Sequence, residues 1–409
     1  MANSFLTTDW LAMDAVEHLT SKLVVAKYFN SDYSGQFKLK YPVADTIRVQ
    51  YPDQGAIRNG LTFTPEALKP RYTTVVIDEP FGSDFELDSV EAVLSAPRGD
   101  EQFRKMYMTP RVDKIAQEID SRCALYAYQH AASLVGVLGT NPASFDACSG
   151  AALEIMTQLG APEADRAMLL PPAAARGLKA ASLGQFNPSA DISKMFRQGI
   201  IGTVDGFDVY NSMSLYRHTA GTWAFAVTIT TAPANGASTL AVTCTTGDTF
   251  KKGDKFAIAA VLPVHPMTKR TFGTATKTFT VTAAATGASS AATLSISPAI
   301  YYEGPHQNVD AQPAASAPLT LWPGTPSPNG KPGTIGLAIQ RNAFALVGVE
   351  LDKLDVTICK TSRDPDSGIP IRFSHGSDFK ESKKGSRYDT CVGMGEFYND
   401  SCAVAIACA

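Results

Sequence analysis

TPRVDKIAQEIDSRCALYAYQHAASLVGV, residues 109–137, is the stretch on which the reading of this chain turns. Pro110 suits a first helical turn, where a missing N–H costs nothing, and Thr109 suits the cap before it. Val112, Ile115, Ala116, Ile119, Cys123, Tyr126, His130 and Leu134 recur at helical spacing, with Asp113, Glu118, Asp120 and Arg122 on the other side. The pattern predicts one helix from Pro110 to about Val137, roughly 40 Å long at 1.5 Å per residue. Gly136 and Gly139-Thr140-Asn141-Pro142 are its stop signals. A single apolar stripe lies on a surface and is not wrapped by core. Such a helix fits the strut of a flat, elongated subunit; it also fits an ordinary amphipathic helix of a globular fold.

Upstream, Ile47, Val49 and Tyr51 alternate as one strand. Tyr72, Thr74 and Val76, or else Thr73, Val75 and Ile77, make a second. Between them Pro52, Gly55, Gly60, Pro65 and Pro70 punctuate a connection too long for a simple turn and too apolar for a solvated linker. It reads as a projecting arm whose tip is buried against another chain, or as a lid over an active site. Asp78, Glu79, Asp84, Glu86, Asp88 and Glu91 then follow with no base among them, either as a solvated face or as the mate of a positive patch. At the start of the chain Thr8 can cap a short amphipathic helix. Its stripe is Ala12, Val16, Leu19 and Leu23, with Asp14 and Glu17 off it, and it packs on its own domain or on a neighbour.

Downstream, residues 143–222 look α/β. Ser149 can cap a helix through Leu159, Arg166–Leu170 is a short buried strand, and a small helix covers Ala173–Leu178. At Trp223 the composition changes. Residues 223–334 are rich in Thr, Ala, Ser and Gly, and only 11 of the 112 are charged, about half the density of the whole chain. Runs such as Thr239–Val242 and Phe279–Thr282 predict a small β-barrel or sandwich, inserted into a parent domain that resumes at residue 335. With 7 bases against 4 acids, the insert is the basic part of a mildly acidic protein. The tail is strand-rich, with a turn at Asp364–Gly368 and a last strand over Arg387–Gly395 whose glycines imply close backbone approaches.

Composition narrows the function. With 409 residues and a net charge of −3, the chain allows two or three domains and generates no field to draw nucleic acid or anionic membrane. No apolar run approaches a membrane span, and the N-terminus lacks a signal-peptide pattern. Seven scattered cysteines without a CxxC read as reduced cytoplasmic thiols, and Asn399-Asp400-Ser401 carries no meaning without secretion. There is no Walker loop, HExxH or GxSxG; the six histidines and Cys391, Cys402 and Cys408 fit no metal spacing, and Asp364–Asp366 lacks the pattern of a calcium loop. No catalytic residue, cofactor or metal is expected.

Several stretches carry a resemblance. They are Lys27-Tyr28-Phe29-Asn30 to Tyr33, Ala44–Val49 with Tyr51-Pro52, Phe250–Val261, Phe279–Thr282, Ile296-Ser297-Pro298, Arg341–Leu346, and Arg387-Tyr388-Asp389 with Gly393. In this order, along nearly the whole chain, they resemble the tailed-phage major capsid proteins of the P-twenty-two type; the C-terminal motif departs from the family at Cys391 and Met394.

The resemblance implies an α+β, Hong Kong 97-type capsid fold: a long spine helix, an extended loop and an axial α/β domain, carrying an inserted small β-barrel. Its parts would be an N-terminal arm at 1–40, peripheral strands with the extended loop at 41–79, and a peripheral domain with the spine helix at 80–142. The axial domain would take 143–222 and 335–409, and the inserted domain 223–334. It implies hexamers and pentamers of an icosahedral head, formed in the host bacterial cytoplasm and later enclosing double-stranded DNA without sequence-specific binding. Portal protein would be a partner, and so would a separate scaffolding protein, since no long charged helical leader precedes the arm. No membrane is involved. On this reading Arg58, Leu61, Phe63, Asp84, Glu86, Lys251, Lys252 and Lys255 are candidate intersubunit contacts, and Asp14 and Glu17 candidate scaffold contacts. A secreted or surface β-rich binding module is the competing class, and an enzyme with a lid at 52–71 a third.

Overall fold

The long helix begins where expected but stops early. It spans Thr109–His130, about 33 Å. A wider, π-type turn at Arg104–Met108 leads into it, so Thr109 is already inside the winding. Pro110 explains the widening, because it offers no N–H to the carbonyl four residues back. Past the helix, Ser133–Gly136 is a strand that runs parallel to Ala403–Ala407. The expected extension to Val137 fails for that reason: a partner near the chain's end takes this segment, and no local periodicity announces it. Val112, Ile115, Ala116, Ile119 and Cys123 are buried as expected. In the last turns the buried face moves to Ala124, Ala127 and Tyr128, leaving Tyr126 and His130 half-buried with stacked rings 4.3 Å apart.

The computed structural model describes residues 8–32, 46–51, 61, 72–77, 80–88, 104–182, 202–223, 227–273, 275–356, 358–364, 367–378 and 383–409. Most of the expected arm, 52–60 and 62–71, lies outside them. The chain divides into two units, the first made of Met1–Val49, Tyr72–Cys123 and Phe344–Glu396, the second of Gln50–Arg71, Ala124–Ala343 and Phe397–Ala409.

In the first unit the N-terminal helix, Thr8–Lys22, buries Val16 and Leu19, with Leu23 buried just beyond its end, and packs on the strands Ile358–Arg363 and Pro370–Asp378. Of the two expected destinations, it takes its own chain. His18 and Lys22 approach Asp113 of the long helix at 2.9 and 4.0 Å. Asp120, expected on the polar side, is buried instead. Its carboxylate accepts the backbone N–H groups of Val24, Val25 and Ala26 at 2.8, 3.1 and 3.0 Å, which satisfies a turn that would otherwise be buried without partners. Burial pushes this carboxyl's pKa up, and the three N–H donors pull it back.

One sheet of this unit orders the strands Thr46–Gln50, Tyr72–Ile77, Val392–Glu396 and Phe344–Gly348. Val75 points inward while Tyr72, Thr74 and Val76 are exposed, which resolves the two registers the sequence left open. The close approaches expected at the end of the chain are here. A Cβ on Gly395 would lie 2.5 Å from the Val75 side chain, and one on Gly393 2.7 Å from the Val76 carbonyl. The expected single strand at Arg387–Gly395 is two, Lys383–Thr390 and Val392–Glu396; they break at Cys391 and join different sheets.

The other sheet orders Ile358–Arg363, Pro370–Asp378, Lys383–Thr390 and Phe81–Asp88. Two arginines of the long helix hold its acidic edge strand. Arg111 stacks 4.9 Å from the Phe85 ring and donates to Ser83 Oγ and to the Asp84 carbonyl; Arg122 stacks 4.1 Å over Phe81.

In the second unit a mixed sheet orders Ser133–Gly136, Ala403–Ala407, Pro332–Gln340, Arg166–Leu170, Phe207–Asn211 and Gly202–Val204. Ser149 does not cap the helix Ala151–Gln158, because its hydroxyl is engaged with Phe145 O and Asp205. Arg217–Thr219 pairs with the start of Pro332–Gln340, Thr219 opposite Pro332 and Arg217 opposite Thr334. Between these two paired strands the chain builds a second, antiparallel sheet. Its order is Leu319–Leu321, Lys255–Ile258, Thr278–Val281, Ala291–Ile300, Ala237–Thr243 and Thr228–Ile229. Its first and last strands also meet, through a bridge between Thr228 and Pro318 and bonds from Ile229 N to Ala317 O and Leu319 N to Val227 O. Trp223, Phe250, Phe256 and Phe279 pack as a buried aromatic chain with ring spacings of 4.8 to 5.9 Å. Each such side chain contributes roughly 1.5–3 kcal/mol by its burial.

Asp120→Ala is expected to destabilise the first unit by about 1–3 kcal/mol, since three buried N–H groups lose their acceptor. Hydrogen exchange at residues 24–26 and the urea midpoint measure this; unchanged protection there would mean the carboxylate is not what holds the turn.

Candidate assembly surfaces and the buried joint at the helix end

A helix ends with carbonyls that have no intrahelical partner, and a buried end needs donors from elsewhere. Here the donors come from the sheet that follows Trp223 and from the chain's tail. Lys255 Nζ donates to Tyr128 O at 3.0 Å and to Ala131 O. Thr280 Oγ1 donates to Ala131 O at 2.7 Å and Thr278 Oγ1 to Ala132 O at 2.8 Å. Asn399 Nδ2 reaches His130 O at 2.8 Å and Ser297 Oγ at 3.0 Å. The amine of Lys255 also stands 5.7 Å from the Tyr128 ring.

Beside this cap runs a buried polar chain. His218 Nε2 donates to Asp254 Oδ1 at 2.7 Å, which leaves Nδ1 to accept the Tyr128 hydroxyl. Asp254 further accepts the N–H groups of Gly221, of Lys251 at 2.9 Å and of the Trp322 indole at 3.3 Å. Tyr128, His218, Asp254 and Lys255 are all essentially excluded from solvent. Burial raises the Tyr128 phenol pKa well above its ordinary value, and the charge of Asp254 adds to the effect. Gly253 makes the geometry possible. Its φ is +94°, and a Cβ there would lie 2.3 Å from the Tyr128 oxygen.

The expected contact residues are distributed differently. Lys255, expected to reach an acidic stretch of another subunit, is fully buried and spends its donors within its own chain. It opens the strand Lys255–Ile258, all of which is buried, so its amine has no route to a partner. Lys251 and Lys252 on the preceding turn are exposed. Asp84 and Glu86 are exposed too, yet they have partners at home: Glu86 meets Lys383 at 2.9 Å and Asp84 lies 3.9 Å from Arg387, across paired strands. The acidic run therefore faces a basic strand of its own chain, in pairs of the exposed kind that contribute about 0–1 kcal/mol. Leu61 is 97% exposed. Arg58 and Phe63 lie outside the described residues, as does the Asp14 side chain; Glu17 is exposed.

Sequence reading gave no role to Tyr128, His218, Asp254 or Asn399. A usable signal was Gly253-Asp254-Lys255 leading straight into the apolar Phe256-Ala257-Ile258, which places two charges at the mouth of a buried strand. It also missed Met213 and Met267, exposed at 84% and 76%. Among the described residues no group of three or more His, Cys, Asp or Glu could hold a metal ion, and no helix is long and apolar enough to cross a membrane.

A family model described as P22 coat protein, gene protein 5, matches residues 1–399. Among solved structures the chain is similar to that of Mycobacterium phage Che8, with 13% identity, 94% of this chain and 90% of that one covered, and a TM-score of 0.50. It is also similar to the capsid of the cyanophage P-SCSP1u, with 12% identity, coverage of 95% and 88%, and a TM-score of 0.43. The acid-stable capsid of Helicobacter pylori bacteriophage KHP30 gives 14% identity, coverage of 99% and 92%, and a TM-score of 0.43. No curated protein matches the chain.

Gly253→Ala is expected to displace the Tyr128 hydroxyl and strain the turn, lowering stability by about 1–3 kcal/mol. Tryptophan emission during urea unfolding reads this out, and a wild-type midpoint would show that Tyr128 and the turn are not in contact.

Proposed function

Because this chain belongs to the P22 coat protein family and is a shell-forming major capsid protein of a tailed phage, we propose that its copies assemble as hexamers and pentamers of an icosahedral head enclosing double-stranded DNA. The match to the family model along residues 1–399 is the observation that carries this reading. In it the fold is of the Hong Kong 97 type. Residues 1–40 are the N-terminal arm, 41–79 the peripheral strands with the extended loop, and 80–142 the peripheral domain with the spine helix. The axial domain takes 143–222 and 335–409, and 223–334 is the inserted domain, a small barrel; the Thr228–Pro318 bridge supports the last assignment.

Assembly proceeds in the host bacterial cytoplasm with a separate scaffolding protein and a portal protein. Glu17, exposed on the N-terminal helix, and Asp14 are the scaffold contacts. The packaged DNA is held without sequence-specific contacts, for which a net charge of −3 is suited: a wall that bound phosphates tightly would resist packing and ejection. The chain is structural, with no catalytic role. A secreted binding module has no observation in its favour.

Shells that correct errors during growth need many modest contacts. Leu61 supplies one. A leucine left 97% exposed in one chain gains roughly 1.5–3 kcal/mol when a neighbour covers it. Arg58 and Phe63 flank it in sequence, and the exposed Lys251 and Lys252 offer charge to an acidic surface of another copy. With Asp84 and Glu86 engaged across their own sheet, these two carboxylates set register at an interface more than strength.

Leu61→Asp is expected to leave the circular dichroism of the subunit unchanged while removing most closed particles from negative-stain images of coat co-expressed with a scaffold. Lys251→Glu with Lys252→Glu is expected to lower particle yield or broaden particle size. Wild-type yield and size in both variants would rule out these contacts while leaving the shell-forming role intact.

A further inference from the structure

Lys255 is a buried cation with hydrogen bonds but no counter-ion. Its three neighbours are Tyr128 O, Ala131 O and Thr280 Oγ1, the last at 2.9 Å. Among the described residues no carboxylate lies within ion-pair distance of it. The nearest, Asp254, is spent on His218 and on the N–H groups of Gly221, Lys251 and Trp322. The same three neighbours satisfy the amine in either protonation state. As an ammonium, Lys255 donates to all three. As a neutral amine it keeps its bonds to the two carbonyls, and Thr280 turns its hydroxyl proton from Ala131 O to the free lone pair. The amine therefore keeps three bonds in either state and Ala131 O keeps one of its two, so the main difference between the states is a charge held away from water.

We propose that the attachment of the 227–321 sheet to the C-terminal end of the long helix is a proton-controlled joint, firm when Lys255 is neutral and loosened when it takes up a proton. This goes beyond shell formation and does not depend on it. The groups that face Lys255 are few. Tyr128 comes from the helix, with His218 of the Arg217–Thr219 strand behind it, while Asp254 comes from its own turn. The strand Thr278–Val281 faces it with the uncharged Thr280, and just before that strand Lys277 pairs with Asp400 at 3.3 Å. The negative end of the helix favours the ammonium and Asp254 adds to that, but both fall short of the hydration lost. Burial brings the amine from its ordinary 10.5 down to about 7. Between those values the unfolded chain holds one more proton than the folded one, so stability rises with pH from about 7 toward 10 and the gain is absent below 7.

The test is hydrogen exchange of peptides covering residues 128–138 in the purified full-length subunit from pH 6 to 9.5, corrected for base catalysis. In the wild type the opening equilibrium is expected to fall up to about tenfold per pH unit above 7 and to be flat below. Lys255→Met is expected to abolish that slope. A slope retained in Lys255→Met overturns the proposal and assigns the effect to another group, and a flat wild-type profile overturns it outright. Should Lys255→Met not fold, Lys255→Arg serves: its guanidinium stays charged across this range and cannot enter the neutral state. Its alkaline gain is expected to shrink, and an undiminished gain overturns the proposal.

Discussion

The carbonyls at the end of the Thr109–His130 helix are the constraint that shapes the second unit. Four of the five carbonyls from Tyr128 to Ala132, all but that of Gln129, are met by side chains from far along the sequence. A buried helix terminus without donors costs more than the strands around it can easily recover. Lys255, Thr278, Thr280 and Asn399 remove that cost while fixing where the 227–321 sheet and the tail must lie within this unit. The aromatic chain from Trp223 to Phe279 then supplies the apolar burial that a polar cap cannot.

The first unit solves a different problem, how to keep an acidic edge strand attached. Phe81–Asp88 carries charge on one side and aromatic rings on the other, and each is used. Arg111 and Arg122, three turns apart on the helix, cover Phe85 and Phe81; Lys383 and Arg387 face the acids from the adjoining strand. Individually these contacts are weak, but stacking and register act on the same eight residues. Asp120 does comparable work at the N-terminal end, where one carboxylate organises three consecutive amides.

Much of this architecture was readable in the residues. The apolar stripe of the helix, the two strands flanking residues 52–71, the buried Arg166–Leu170 strand and the change of composition at Trp223 rest on local pattern, and the structure has each of them. What escaped depends on partners distant in the chain. Residues 131–137 continue a helical pattern, yet Ser133–Gly136 becomes strand because Ala403–Ala407 pairs with it. Lys255 and Asp120 read as surface charges because lysines and aspartates usually are. Only the supply of carbonyls to the one, and of amides to the other, makes their burial tolerable.

The pairing of Arg217–Thr219 with Pro332–Thr334 has a mechanical consequence. The ladder closes across the point where more than a hundred residues leave and return, so its own hydrogen bonds do not run through them. A pull along this sheet passes directly from one strand to the other, and the residues between are bypassed by the load.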